Sequence, residues 1–236
     1  MKLNLGCGHD IKEGWVNIDG PREDLCYDDL KADIHARIED LDYPDNTVDE
    51  ILMSAVFEHF PRHIAIVQLR KMYKWLKPGG FITILVPDFW GTVKMLRKSK
   101  SMKEQQFWFR HLYGPQDTAK FGIHYDAFSV KKLKWIFSIV GFNQYRYKVI
   151  RRWPNIEFVG IKDNRIKSDA DAEKDIIDYI ANYEYRRESG IAFGAWMKDI
   201  GIQAEKPETP KYRTHELYKR PTLASLITKI LKRIVS

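Results

Sequence analysis

Two glycines and one acidic residue near the N-terminus have the spacing of a cofactor site. Lys2 to Leu5 predicts a strand that ends at the turn Gly6-Cys7-Gly8, and Trp15 to Ile18 predicts a second strand that ends at Asp19. A glycine turn after the first strand lets backbone N–H groups approach a ligand. A carboxylate after the second strand can accept hydrogen bonds from both hydroxyls of a ribose. The segment therefore predicts a ligand that contains adenosine.

Other interpretations of the glycine turn have less support. NAD binding is disfavoured because a dinucleotide fingerprint has a third glycine and an acid about 20 residues further on. A short glycine turn can also serve only to reverse the chain, and Cys7 fits there as a small residue. The two cysteines, Cys7 and Cys26, have neither CxxC spacing nor a cluster of histidines around them. We therefore predict no disulfide framework and no metal site.

Strands alternate with helices along the following chain. A buried strand is predicted at Asp49 to Ser54, a helix at Ile64 to Leu76, and another buried strand at Phe81 to Pro87 after the helix-breaking segment Lys77-Pro78-Gly79-Gly80. Such alternation is typical of a parallel sheet. Further on, the pattern predicts a helix capped by Ser129 that ends at Val140, and then two strands, Tyr145 to Ile150 and Ile156 to Ile161, that close the domain as a hairpin.

The sequence predicts one main domain at residues 1–162 and a helical extension at residues 163–236. Within the domain, a less regular insert of about residues 89–125 is rich in aromatic and basic residues and is interpreted as a substrate lid. The extension contains a charged helix from Asp169 to Glu188, a proline-containing linker from Gln203 to Lys211, and a terminal amphipathic helix.

Several motifs together resemble the class I methyltransferases, particularly the small type-11-like branch found with surface glycan biosynthesis. The resemblance covers about residues 2 to 161. It is carried by five segments in the order of the family: Leu3 to Gly8, Gly14 to Asp19, Ala32 to Asp49, Phe57-Glu58-His59 and Leu76 to Gly80. The resemblance implies an α/β fold with a doubly wound, mostly parallel seven-stranded sheet, and S-adenosyl-L-methionine as the cofactor.

The same resemblance implies which residues bind the cofactor. Gly6 and Gly8 would pass beneath the methionine part, and Asp19 would hold the ribose. The family pattern commonly has an acid at the position of Arg37, which leaves backbone contact with adenine as the alternative there. The full set of implied cofactor-binding residues is Gly6, Cys7, Gly8, Asp19, Ile38, Ser54 and Ala55.

The chemistry of methyl transfer to an alcohol indicates where a base is needed. Because the sulfonium of the cofactor already has a good leaving group, holding donor and acceptor in line supplies much of the acceleration. A histidine can remove the proton of an acceptor hydroxyl, and His124 in the lid is the predicted base, with Tyr125 as a positioning group. Asp88 is the alternative base because it follows the strand that ends at Pro87. His124 also fits as a residue that only forms hydrogen bonds within the lid.

Substrate-binding residues are predicted from the same region. His59 follows the fourth strand, and Trp90 and Tyr113 have aromatic rings that can stack on a sugar. Each has an alternative interpretation: His59 as a packed histidine beside a helix-starting glutamate, and the aromatic residues as packing of the insert, as for Phe107, Trp108 and Phe109.

Charge and hydropathy limit the classes of partner. The net charge of +7 favours an anionic partner, such as a phospholipid surface, a pyrophosphate-linked substrate or nucleic acid. In residues 222–236, apolar positions at helical spacing leave Lys229, Lys232 and Arg233 on the other side, which is typical of a helix at an anionic membrane surface. The apolar side can equally pack on the domain or pair two copies in a homo-oligomer.

The sequence also indicates a location. No apolar stretch approaches the roughly 18 residues that a membrane span requires, and the N-terminus lacks a secretory signal. A cytoplasmic location is therefore expected, with peripheral association at the inner face of a membrane as the alternative.

Three functions remain open at this point. The favoured one is O-methylation of a sugar hydroxyl in a surface polysaccharide or a lipid-linked glycan. RNA methylation is the second, although the basic residues are dispersed and nucleic acid is the less favoured partner. The third is a non-catalytic methyltransferase fold that acts as a binding subunit.

Overall fold

A seven-stranded sheet organises the protein. The computed structural model describes residues 1–24, 29–116, 122–183 and 191–207. The strands run in the order β3-β2-β1-β4-β5-β7-β6 across the sheet, in which β7 is antiparallel to both of its neighbours and every other pairing is parallel. This order confirms the predicted doubly wound, mostly parallel sheet. The strands are β1 (Lys2–Leu5), β2 (Val16–Asp19), β3 (Ile34–His35), β4 (Val48–Ser54), β5 (Leu76–Pro87), β6 (Gln144–Ile150) and β7 (Asn155–Ile161).

Six α-helices accompany the strands in the described part of the chain. Helices α1, α4 and α5 pack against one another, and α2 packs against α3. Buried apolar side chains from the strands and from α1 and α4 form the core, with Leu3, Ile51 and Phe137 inaccessible to solvent. The helices are α1 (Arg62–Trp75), α2 (Phe89–Lys98), α3 (Met102–Tyr113), α4 (Val130–Val140), α5 (Asp169–Ala181) and α6 (Ile191–Asp199).

The end of α1 and the start of β5 differ slightly from the prediction. The helix ends at Trp75, and β5 begins at Leu76 and runs through the segment that we interpreted as a chain breaker. Close backbone packing explains this course, because a Cβ atom at Gly80 would lie 2.9 Å from the carbonyl oxygen of Lys77. Gly79 has a φ angle of +83°, and the pairing of β5 with β4 passes from Leu76–Val48 to Phe81–Glu50, so residues 77–80 form an irregularity within the strand.

Lys162, the residue after β7, joins the end of α1 and the start of β5 through hydrogen bonds. Its buried ammonium donates to the carbonyl oxygens of Lys74 at 3.2 Å and Leu76 at 2.6 Å, and to Oδ1 of Asn46 at 2.9 Å. Its backbone carbonyl accepts from the N–H of Gly79 at 2.7 Å. Carbonyl groups at a helix end have no partner within the helix, and here a side chain from a distant part of the chain satisfies them.

The insert at residues 89–125 is more regular than the sequence indicated. Its first two thirds form α2 and α3, so the prediction of an irregular insert is wrong there. Both helices begin at a capping residue: the carboxylate of Asp88 accepts from the N–H of Gly91, and the hydroxyl of Ser101 accepts from the N–H of Glu104. The predicted cap at Ser129 is confirmed, since its hydroxyl accepts from the N–H of Lys132.

The extension beyond β7 packs on the main domain. Ile176 and Tyr179 of α5 and Phe193 of α6 are buried within the core, and one compact unit comprises Met1–Lys206. The core therefore continues past residue 162, where we expected it to end, because these helices bury their apolar sides on it. The amphipathic segment at residues 222–236 lies outside the described residues. No helix in the described ranges is long and apolar enough to cross a bilayer.

Candidate active site

The carboxyl ends of four parallel strands bring most of the predicted site residues to one edge of the sheet. Strand β1 leads into Gly6, β2 ends at Asp19, β4 leads into Ala55, and β5 leads into Asp88. Strands β1 and β4 are neighbours, and the chain winds in opposite directions from them. Ligands of doubly wound sheets bind in the crevice at such a reversal of strand order. We call Gly6, Gly8, Asp19 and Ala55 the cofactor edge.

The two glycines of the first turn have different roles. Both adopt positive φ angles, +64° at Gly6 and +50° at Gly8, which side chains other than hydrogen disfavour. A Cβ atom at Gly6 would lie 2.4 Å from Cγ2 of Val56, whereas one at Gly8 would meet no described atom within 4 Å. Gly6 is thus needed for packing, and Gly8 faces open space in which a ligand can approach the backbone.

Asp19 is held in a fixed orientation beside this turn. Its Oδ2 accepts from the N–H of Gly8 at 2.6 Å, and its Oδ1 accepts from the N–H of Gly20 at 2.7 Å. A carboxylate oxygen can accept more than one hydrogen bond, so each oxygen keeps capacity for a hydroxyl donor. A preoriented acceptor next to an open glycine backbone fits the ribose and the adjoining part of S-adenosylmethionine.

Cys7 lies behind this carboxylate. Its backbone N–H donates to the carbonyl of Ile18 at 3.0 Å, and its side chain is buried. Burial, together with the negative charge and hydrogen bond of Asp19, raises the pKa of the Cys7 thiol to about 11. The thiol is therefore neutral at pH 7 and supports Asp19 from within the protein.

The loop after β4 carries backbone strain. Ala55 has a φ angle of +55° although it is not a glycine, and it is exposed. Its N–H donates to the carbonyl of Leu85 at 2.9 Å, which fixes the loop to β5. Strained residues of this kind are concentrated at functional sites. The half-buried Ser54 directly precedes it, so both residues lie where the methionine part was expected.

The region expected to flank adenine lies on a short 3-10 helix at Ile38–Asp40. The side chain of Ile38 is partly buried and packs against the core. The guanidinium of Arg37 pairs with the buried carboxylate of Asp24 at 2.6 Å. The basic residue that departs from the family pattern is thus engaged with a neighbouring acid.

Three polar side chains from distant segments meet beyond the loop after β4. Glu58 and His59 belong to the 3-10 helix Phe57–His59, and His124 comes from the segment that precedes α4. One ligand atom from each lies within 4.8 Å of those of the other two, and the two imidazole rings are 4.8 Å apart between centroids. The N–H of Tyr125 donates to the carbonyl of Glu58 at 2.8 Å, which joins the two segments. We call Glu58, His59 and His124 the acceptor cluster.

Burial controls the charges of the acceptor cluster. It raises the pKa of Glu58 to about 8 and lowers the pKa of His59. It also lowers the pKa of His124 to about 4, with a smaller contribution from the charge of His59. Both imidazoles are therefore neutral at pH 7. Within the described residues, Oε2 of Glu58 and Nδ1 of His124 are buried and have no hydrogen-bond partner.

Asp88 lies at the same edge but is engaged in the fold. Its Oδ2 accepts from the N–H of Gly91 at 3.1 Å and so caps α2, and its backbone N–H donates to the carbonyl of Pro154 at 2.8 Å. Only 9% of the residue is exposed. These contacts account for an acid at this position without a catalytic role.

The predicted aromatic contacts separate into two groups. Trp90 is 66% exposed and Tyr113 is 58% exposed, and the carbonyl of Tyr113 accepts from the N–H of His124 at 3.2 Å. In contrast, Phe107 and Trp108 both pack against Trp153. Packing therefore explains the second group, and the first has exposed rings.

An aromatic cavity of about 300 Å³ lies beside Tyr125. Tyr125 lines this cavity together with Tyr183, which follows α5, and Trp196, which lies in α6. Sequence reasoning missed these two residues because they lie in the extension, which it separated from the domain. It also missed Glu58 as part of the site, although the adjacent His59 was the signal that could have identified it.

The comparison with known families agrees with the cofactor edge. The model of the Methyltransf_11 family, described as a methyltransferase domain, matches residues 3–84. Residues 3–84 are thus similar to a methyltransferase domain. With the strand order, this match supports the class I methyltransferase fold and S-adenosyl-L-methionine as the cofactor. The matched segment ends within β5, before the lid region and His124.

Solved structures of similar fold are distant in sequence. A S-adenosylmethionine-dependent methyltransferase from Methanosarcina mazei is 16% identical, with a TM-score of 0.45 over 69% of this chain and 92% of that chain. One from Archaeoglobus fulgidus is 13% identical, with a TM-score of 0.46 over 68% of this chain and 85% of that chain. Human N-acetylserotonin methyltransferase, solved with S-adenosylmethionine, is 13% identical, with a TM-score of 0.46 over 69% of this chain and 47% of that chain. No curated protein matches the sequence.

Proposed function

We propose that the protein transfers a methyl group from S-adenosylmethionine to a hydroxyl group of a sugar, in a surface polysaccharide or a lipid-linked glycan. The observation that carries the cofactor part is the geometry of Asp19, whose carboxylate is fixed by the N–H groups of Gly8 and Gly20 beside an open turn. The family match over residues 3–84 supports the same cofactor.

The cofactor edge binds S-adenosylmethionine and orients its methyl group. When bound, S-adenosylmethionine supplies a methyl group on a positively charged sulfur. Asp19 accepts hydrogen bonds from the ribose hydroxyls, and the backbone at Gly8 admits the neighbouring part of the ligand. The fixed loop at Ala55 limits the space on the other side of the crevice. Alignment of the methyl group with an acceptor is the main contribution that such a rigid edge can make to the rate.

The proposed acceptor site lies between the lid region and the extension. Tyr125, the residue after His124, lines a cavity together with Tyr183 and Trp196, and sugars stack on such aromatic rings through their apolar faces. The exposed rings of Trp90 and Tyr113 offer further stacking surfaces. The net charge of +7 suits an anionic, pyrophosphate-linked substrate. Residues 222–236 would bring the chain to such a substrate at an anionic membrane surface.

His124 is the proposed proton acceptor for the sugar hydroxyl. Its Nδ1 has no hydrogen-bond partner in the described ranges, and the ring is partly exposed beside the cavity. Asp88 is the weaker candidate, since its carboxylate already caps α2. His59 and Tyr125 would position the acceptor, because the ring of His59 and the backbone N–H of Tyr125 each form a hydrogen bond with the opposite segment of the site.

Calorimetric titration of the purified full-length protein tests the cofactor part directly. We expect saturable binding of S-adenosylmethionine and of its demethylated product, and no binding of NAD. A screen of glycan acceptors with methyl-labelled cofactor then tests the acceptor part. Binding of NAD alone, or of none of the three ligands, would contradict the proposed function. Transfer to RNA rather than to glycans would replace the acceptor class.

A further inference from the structure

The acceptor cluster has the composition of a transition-metal site. Two imidazoles and one carboxylate form the ligand set of many zinc and non-haem iron centres. Here the three ligand atoms lie within 4.8 Å of one another. Donor atoms of a tetrahedral zinc site lie about 3.3 Å apart, given metal–ligand distances of about 2.0–2.1 Å. For one ion to bind all three atoms, the widest separation has to close by up to about 1.5 Å.

We propose that Glu58, His59 and His124 bind one divalent transition-metal ion of the Zn²⁺ class. The decisive observation is a pair of buried ligand atoms, Oε2 of Glu58 and Nδ1 of His124, that have no hydrogen-bond partner among the described residues. A buried polar atom without a partner costs free energy, and a bound cation removes that cost. Glu58 is only 1% exposed, so bulk solvent does not reach this carboxylate.

The second ring nitrogen of His59 is arranged as in known metal sites. The carbonyl of Ile123 can only accept, so the contact of 3.1 Å from Nδ1 of His59 places the proton on that nitrogen and leaves Nε2 as a ligand. Metal-binding histidines commonly donate their other N–H to a backbone carbonyl in this way. In His124 the unpartnered Nδ1 is the candidate ligand atom.

The solvent access of the acceptor cluster and the type of its ligand atoms limit which metal ion it can bind. His59 and His124 are partly exposed while Glu58 is buried, so an ion can enter from solvent between the rings. Imidazole nitrogens suit Zn²⁺, Fe²⁺, Co²⁺ and Cu²⁺, whereas Mg²⁺ prefers oxygen ligands. Three protein ligands leave a tetrahedral ion one open position, as in catalytic rather than structural zinc sites.

The consequence for the reaction rests on the proposed function. The open position would take the oxygen of the acceptor hydroxyl, and the ion would lower the pKa of that hydroxyl. The O–H bond then breaks, its proton passes to water, and the oxygen keeps the electron pair. This pair forms the new C–O bond as the C–S bond of the cofactor breaks and its electrons return to sulfur. With the ion bound, His124 acts as a ligand and not as the proton acceptor.

The test is metal binding by the full-length protein, prepared without a histidine tag and freed of metal with a chelator. Titration with Co²⁺ is followed by the visible absorbance that tetrahedral Co²⁺ gains from nitrogen ligands, and Zn²⁺ is titrated in competition. We expect one ion per chain, and no displacement of Co²⁺ by millimolar Mg²⁺. His124→Ala and Glu58→Gln should each weaken binding by about 100-fold, the upper end of effects measured even for outer-shell partners of a metal site.

His63→Ala is the matched control. His63 is a partly buried histidine on α1 whose Nε2 contacts Asp199 at 3.2 Å, outside the acceptor cluster. This variant should bind Co²⁺ as the unmodified protein does. If Glu58→Gln fails to fold, His124→Ala decides, since His124 is less buried. Absence of stoichiometric binding, or equal binding by both cluster variants and the unmodified protein, would overturn the proposal.

Calorimetry with S-adenosylmethionine on the metal-free protein separates the two proposals. Cofactor binding without Co²⁺ binding would refute the metal site and leave methyl transfer with His124 as the base. Co²⁺ binding without cofactor binding would refute the proposed function and leave the metal site standing.

Discussion

The cofactor edge and the acceptor cluster are built in opposite ways. The cofactor edge consists of backbone turns at strand ends, and each oxygen of its one charged group, Asp19, accepts from one local N–H donor. The acceptor cluster consists of side chains from two segments that are far apart in the chain, and two of its buried atoms have no partner in the described structure. A rigid edge that local hydrogen bonds hold in place suits a cofactor that is the same in every reaction cycle. An unsatisfied cluster is suited to a group that arrives from outside, either a substrate or an ion.

The largest expected effect separates turnover from cofactor binding. Replacement of His124 by alanine should lower kcat by about 10²–10⁴-fold, the usual contribution of general acid–base catalysis, while the Kd for S-adenosylmethionine changes less than about twofold. The measurement is methyl transfer to the acceptor found in the screen, with calorimetry on the same preparation. Turnover that survives the substitution would remove His124 from the mechanism.

The complementary change acts on the cofactor edge. Asp19→Ala should raise the Kd for S-adenosylmethionine by about 100-fold, because two charge-assisted hydrogen bonds to the ribose would be lost at roughly 1.5 kcal/mol each. The control is Asp42→Ala, which removes an exposed acid from another loop. An unchanged Kd in calorimetry would show that Asp19 only supports the turn.

The two glycines of the turn allow a matched comparison within the cofactor edge. Gly6→Ala should lower the free energy of unfolding by about 2–4 kcal/mol, from positive φ and the clash with Val56. Gly8→Ala should lower the free energy of unfolding by only about 1–2 kcal/mol, since only the φ angle is unfavourable there. It should nevertheless weaken cofactor binding, because its Cβ would enter the open space. Denaturant unfolding and calorimetry would measure both. Equal losses of stability in the two variants would contradict this division of roles.

The smallest expected effect concerns the aromatic cavity. Trp196→Ala should raise KM for the acceptor by about 2- to 10-fold through loss of one stacking contact of roughly 0.5–1.5 kcal/mol. Trp15→Ala is the control, because Trp15 directly precedes β2, contacts the ammonium of Lys2 and does not line this cavity. The KM and kcat values of both variants decide whether the cavity binds the acceptor, and equal KM values would place the acceptor elsewhere.

The fold was largely predictable because its signals are local. Gly6 and Asp19 each follow a short apolar strand, and Ser129 caps a helix with clear apolar spacing, so neighbouring residues carry the information. The prediction erred at residues 89–113, where exposed aromatic residues concealed two helices. It also erred at Lys77 to Gly80, which form an irregularity within β5 and not a break before it; here Gly79 and Gly80 hydrogen-bond with the backbone of Lys162.

The acceptor cluster was less predictable because tertiary structure assembles it. His59 and Ile123 are 64 positions apart and meet only when the segment before α4 folds back over β4. His124 was identified from its lid context, but the burial of Glu58 and its missing partner have no local signature. Tyr183 and Trp196 reach the site only because the extension packs on the core.

Lys162 has a consequence for the order in which the protein folds during synthesis. Its ammonium donates to the carbonyl groups of Lys74 and Leu76. The ribosome adds Lys162 at a point 86 positions after Leu76, so these two hydrogen bonds at the end of α1 form late in synthesis. The strand that closes the edge of β5 emerges at the same time. A nascent chain released before Lys162 would therefore expose an open sheet edge to aggregation.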